Sequence, residues 1–147
     1  MSFDPTRILA ESENYKIVSE YEYVNLIFKK SGREVRIGHF YGDPEGAFVD
    51  VNEKYCVMYG CGVIVYFLNE PFEEYWYCID TTQWQEYGRE PQNILWVRNC
   101  IPDLIRSYPE CDEDKILWVE NACQIDNGRF KIILENKETR IIKISLS

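Results

Sequence analysis

Hydrophobic positions along the chain recur with a period of two over short stretches broken by turn-forming residues, a pattern of β-strands rather than of helices. The runs "YVNLIFK" and "REVRIGHF" flank Lys30-Ser31-Gly32 and predict a hairpin, with Val35, Ile37 and His39 on one face of its second strand. "GAFVDVN" leads through Glu53-Lys54 into "CVMYGCGVIVY", residues 56–66, where two apolar runs are interrupted by Gly60 and Gly62; this reads as sheet core with a kink or tight turn. Near the C-terminus "KILWVENACQI" and "RFKIILE" bracket Asp126-Asn127-Gly128, a strong hairpin signal, and Asn136-Lys137 turns the chain into "TRIIKISLS". Those strands predict a meander.

Helical signals are few. Asp4 followed by Pro5 suits an N-cap and first helical residue, which predicts a short helix over 5–13. Pro102 in "IPDLIRSYPE" suits a first helical turn that Pro109 would stop. "ILWVRNC" at 94–100 resembles "ILWVENAC" at 116–123, but the spacing occurs once, so the two read as similar strands rather than as a repeat array. The expected fold is mainly β, a β-rich α+β chain whose antiparallel sheets form a sandwich, barrel or strongly curved sheet with one or two short helices. A small propeller-like arrangement is the alternative.

Length changes the picture only by setting a scale: 147 residues suit a single globular domain, 1–147, able to bury its own core. Charge changes it more. The formal net charge is −9, which repels phosphate backbones and anionic lipid, so neither nucleic acid nor a membrane is an expected partner. The first residues, "MSFDPTRILAESENY", lack the basic segment and apolar run of a signal peptide, and no apolar run has the length of a membrane span. A cytoplasmic protein is expected, in which the six cysteines are reduced thiols and form no disulfides. Cys56 and Cys61 are spaced C-x4-C, the others stand singly, and the chain has one histidine, so the cysteines read as small buried hydrophobes and no metal or cofactor is expected.

Catalytic patterns are equally sparse. His39 is the sole candidate base for a nucleophilic triad, and its place on the Val35/Ile37 face favours a structural role. "YGDPEG" at 41–46 lacks the Lys-Ser/Thr of a phosphate cradle and reads as a loop with Asp43-Pro44 starting a turn. The adjacent acids Glu73 and Glu74 point to opposite faces of a strand and align poorly on a helix. A non-catalytic protein is therefore expected.

The sequence is most distinctive between Lys54 and Arg89, where no Lys or Arg occurs while acids and aromatics crowd together. "NEPFEEYWYCIDTTQWQEYG" has the composition of a recognition surface: Glu70, Glu73, Glu74, Asp80 and Glu86 to meet basic groups, with Tyr75, Trp76, Tyr77 and Trp84 as packing anchors. The opposing reading is an acidic solvated face over a Tyr-rich sheet. A further acidic cluster, Glu110, Asp112, Glu113 and Asp114, reads as a solvated loop.

The run "FYGDPEGAFVDVNEKYCVMYGCGVIVYFLNEPFEEY", residues 40–75, resembles small bacterial immunity proteins, the cytosolic antidotes encoded beside polymorphic or contact-dependent toxins. The resemblance implies an inhibitor that binds one cognate basic toxin domain, often a nuclease, and occludes it. It transfers no contact residue. From a different class, a small-molecule or carbohydrate-binding module is the alternative, since Tyr and Trp beside carboxylates stack sugars and accept their hydroxyls.

Overall fold

The run from Tyr55 to Phe67 has no polar face to turn outward. Strands β6 (Tyr55–Gly60) and β7 (Gly62–Phe67) are buried along their whole length except at Phe67, which requires apolar cover on both sides of the sheet that holds them. A computed structural model, describing residues 6–76, 81–88 and 117–144, shows how that cover is supplied.

Among the described residues three antiparallel meanders follow one another. The first joins β1 (Thr6–Glu11), β2 (Tyr15–Glu20), β3 (Tyr23–Phe28) and β4 (Glu34–His39) in sequence order. The second joins β5 (Gly46–Val49), β6, β7 and β8 (Trp84–Tyr87), and the third joins β9 (Val119–Asp126), β10 (Arg129–Leu134) and β11 (Thr139–Lys143). The second sheet is the middle layer. Its even-numbered residues Cys56, Met58, Ile64, Tyr66 and Trp84 pack with Ile17, Val24, Leu26 and Ile37 of the first sheet. The odd-numbered Tyr55, Val57, Tyr59, Val63 and Val65 pack with Phe130, Ile132 and Ile142 of the third. The β-period of two thus divides one strand pair between two cores.

The predicted hairpins at Lys30-Ser31-Gly32, Asp126-Asn127-Gly128 and Asn136-Lys137 are present, as are the link from "GAFV" into β6 and the tight turn at Gly60-Cys61-Gly62. The fold is β-rich, and among the described residues there is no helix and no closed barrel. The helix expected over 5–13 is instead β1 over Thr6–Glu11, paired with β2 from Thr6–Glu20 to Glu11–Lys16. A local Asp-Pro start signal is outweighed there by backbone bonds to a partner strand. The second predicted helix, the 94–100 stretch and the acidic cluster at 110–114 lie outside the described residues.

His39 also departs from expectation. Asn25 faces Arg36 and Val24 faces Gly38, which leaves Ile37 as the extra residue of a bulge. Beyond it the alternation reverses. His39 therefore lies on the opposite face from Val35, stacked on Tyr23 at 4.4 Å between ring centroids, with the Arg36 guanidinium 4.1 Å from the same Tyr23 ring.

Close packing between layers explains Gly38, and close packing within the middle sheet explains Gly46. A β-carbon on Gly38 would lie 3.1 Å from the Met58 sulfur and 3.2 Å from Ile64 Cδ1, so the absence of a side chain lets the first sheet settle on the second. A β-carbon on Gly46 would lie 2.5 Å from the Tyr59 hydroxyl, which itself donates to Asn121 of the third sheet. Polar pins complete the stack. Asp50, 2 % exposed, accepts from Lys54 N and from Gln124 Nε2, tying the β5–β6 turn to β9. Glu53, in the same turn, accepts from the Ser12 hydroxyl, Asn14 N and Asn14 Nδ2, tying it to the β1–β2 turn.

Two outcomes follow from this packing. Ile64→Ala removes side-chain volume from the layer closed on both sides and should cost about 2–5 kcal/mol in urea denaturation, whereas Ile141→Ala on β11, 61 % exposed, should change stability by less than about 0.5 kcal/mol. Equal losses would contradict the assignment of the middle layer. The Glu53 carboxyl lies below its ordinary value of 4.5: partial burial pushes it up, but hydrogen bonds from Ser12 and Asn14 and the Lys29 charge outweigh that. With the folded value the lower one, its contribution is complete above the unfolded pKa and is lost as pH falls through the folded pKa. Melting temperatures across pH should therefore show the native chain losing more stability than Glu53→Gln as pH falls below 4.5, and parallel curves would mean the carboxylate does not hold the two turns together.

Candidate binding surface

Beyond Phe67 the chain leaves the middle sheet, crosses to the first, and returns as β8; the acidic aromatic segment lies on this excursion. Its path is set by one buried amide. Gln83, 3 % exposed, donates from Nε2 to the carbonyls of Phe67 and Asn69 and to Asn69 Oδ1, while its Oε1 accepts from Glu73 N at 3.0 Å. A side chain that bridges backbone groups on both limbs of a loop satisfies buried polar atoms and removes freedom from the segment. Phe72 adds a second anchor. Its φ of 55° lies in the left-handed region, which costs a non-glycine residue about 1–2 kcal/mol, and it is offset by burial of the ring against Phe28 at 4.8 Å, with the Arg33 guanidinium over both rings.

The predicted anchors separate into different roles. Tyr75 and Trp84 are 5 % and 4 % exposed, so the expectation that they present their rings to a partner is corrected: they belong to the core between the first two sheets. Trp84 stacks parallel to Tyr66, and Tyr75 tilts against Trp84 at 5.2 Å. The reason is register. Trp84 stands opposite Tyr66 on the face of the middle sheet that the first sheet covers, and large rings there are driven inward by burial. Trp76 is the aromatic that remains outside, 42 % exposed. Tyr77 and Asp80 lie outside the described residues.

The acids divide likewise. Glu70, Glu73 and Glu74 are exposed. Glu73 Oε2 accepts from Thr81, and Glu70 meets Arg33 at 3.8 Å with its side chain three-quarters exposed, an arrangement that leaves both carboxylates in solvent. Glu86 is half-buried and accepts from the Tyr75 hydroxyl at 2.5 Å, so it positions Tyr75 rather than extending the rim. Tyr66 donates its hydroxyl to the Glu73 carbonyl at 2.6 Å; burial, followed by the nearby acidic groups, pushes that hydroxyl's pKa up and keeps it a donor. The buried aromatics thus hold the strand of backbone from which the exposed carboxylates project.

A cleft of about 290 Å³ opens at the other end of the β6–β7 hairpin, around Gly60 and Cys61. Tyr41, Asp43 and Glu45 line it from the β4–β5 link, and Trp118 and Glu135 from the third sheet. Sequence reading placed residues 41–46 in a loop and did not connect them with Trp118, which follows them by more than seventy positions and meets them only because Cys61 bridges to Trp118. Cys56 and Cys61 are buried, and burial pushes the Cys56 pKa up, which keeps that thiol neutral and poorly nucleophilic. Among the described residues no three His, Cys, Asp or Glu side chains gather closely enough to share a metal ion. No helix among them is long and apolar enough to cross a membrane. No protein-family model, curated protein or solved structure matches the chain, so the surface is read from its own geometry.

The role assigned to Gln83 is open to direct measurement. Gln83→Leu keeps most of the volume and removes the four hydrogen bonds, and should lower stability by about 2–4 kcal/mol while speeding amide exchange at Glu73. Unaltered exchange at Glu73 would show that the loop is held by other contacts.

Proposed function

We propose that the protein is a non-catalytic, immunity-type inhibitor that captures and occludes a cognate basic toxin domain through the exposed part of residues 70–76. The observation that supports this most is the pairing of Glu70, Glu73, Glu74 and Trp76 on a loop pinned from beneath by Gln83, Tyr66 and Phe72. A preorganised loop loses little entropy on binding, exposed carboxylates steer a basic partner, and a Trp at their side supplies rigid apolar area. The net charge of −9 adds a long-range attraction for any cationic protein. On this reading the carboxylates engage the Lys and Arg that a nuclease uses to hold its substrate, and inhibition is stoichiometric.

A second reading, a small-molecule or carbohydrate-binding module, is favoured by the cleft at Gly60 and Cys61, whose exposed Tyr41 and Trp118 rings stand beside carboxylates.

Affinity capture from the native host's lysate at low and high salt, with native and Glu73→Lys/Glu74→Lys proteins side by side, tests the first reading. The native protein should retain one basic protein near 1:1 at low salt, and the double charge reversal should reduce its association rate at least about tenfold with no change in melting temperature. Trp76→Ala should act mainly on dissociation. Equal retention by the native and charge-reversed proteins would remove residues 70–76 from the interface.

A further inference from the structure

The geometry points to the cleft at the Gly60–Cys61 turn as a binding site for an organic cation of the guanidinium class. It is independent of whether residues 70–76 bind a protein, because those residues follow the opposite end of β7. The walls come from the β4–β5 link, the β6–β7 turn and residues in or bordering β9 and β10, and are held by hydrogen bonds. Gly42 N donates to Glu22 Oε2, Glu45 N to the Tyr59 carbonyl, and Glu135 N to the Trp118 carbonyl, while Arg7 donates to the carbonyl of Pro44. Trp118 and Tyr41 are nevertheless 46 % and 50 % exposed. Large rings held open on a fixed frame leave apolar faces that a ligand can cover.

Charge selects the ligand. Asp43, Glu45 and Glu135 line the same small cleft, all exposed, and among the described residues none of them pairs with a Lys or Arg. Arg7 donates to the Pro44 carbonyl, and Lys137 in the β10–β11 turn is engaged by Glu120. Three carboxylates around one cleft attract a cation, and a neutral sugar carries no charge to meet them. A guanidinium suits both halves of the wall: it is planar and weakly hydrated, stacks on indole or phenol, and offers paired N–H donors to carboxylates. A compact, strongly hydrated metal ion would leave the rings uncovered.

Titration of the full chain with agmatine, followed through the Trp118 indole N–H signal in NMR and assigned with Trp118→Phe, should give a saturable shift with a dissociation constant on the order of 1 mM. Glu45→Gln and Glu135→Gln, at exposed positions that leave the cores intact, should each weaken binding about three- to tenfold, while Glu13→Gln in the distant β1–β2 turn should leave it unchanged. A blocked Gly-Arg-Gly tripeptide distinguishes the source: tighter binding than agmatine assigns the guanidinium to a protein partner, and equal or weaker binding assigns it to a free metabolite. Absence of a saturable shift up to about 20 mM, or an equal shift with neutral methyl glucoside, overturns the inference.

Discussion

Burial of one strand pair on both faces is the constraint from which the rest of the molecule follows. β6 and β7 expose almost nothing, so the chain must furnish a sheet for each side, and it does so with a meander before them and a meander after. Each outer sheet then needs only one apolar face, which is why β10 alternates buried and partly exposed residues while β6 does not. Glycines stand where side chains crowd, between layers at Gly38 and within the middle sheet at Gly46. Gly38 lies over Met58 and Ile64, and Gly46 faces Tyr59, whose hydroxyl reaches on to Asn121 in the third sheet.

The second consequence concerns the aromatics of the middle sheet. Tyr66 and Trp84 lie at the end of the sheet from which residues 68–83 depart, with their apolar area in the core and, for Tyr66, a hydroxyl at its margin. An aromatic with a polar tip at the border of a core can grip loop backbone without giving up its packing. The Tyr66 hydroxyl does this for Glu73, and the Tyr75 hydroxyl meets Glu86 in the same region. The course of the backbone that carries the exposed carboxylates is therefore inherited from the core beneath it.

Acidic groups also mark both ends of the β6–β7 hairpin, but in different settings. At the Phe67 end they project from a loop pinned by Tyr66 and Gln83, and at the Gly60 end they line a cleft with two exposed rings. The absence of Lys and Arg from Lys54 to Arg89 keeps the middle layer from neutralising either place through its own side chains.

The sequence by itself determined the local geometry: the hairpins at Lys30-Ser31-Gly32, Asp126-Asn127-Gly128 and Asn136-Lys137, the β-rich class, and the buried character of "CVMYGCGVIVY". These are legible because turn residues and a two-residue period act through near neighbours. Tertiary structure alone decided which face each residue took. A one-residue bulge at Ile37 moved His39 to the other side of its sheet, and pairing with β2 made a strand of residues 6–11 despite an Asp-Pro start signal. Composition marked 70–86 as acidic and aromatic, yet cross-strand register with Tyr66 drew Trp84 inward and left Trp76 outside. The cleft was the least legible feature, since Tyr41, Cys61 and Trp118 lie in separate connections brought together by the tertiary fold, and no pattern along the chain records that distance.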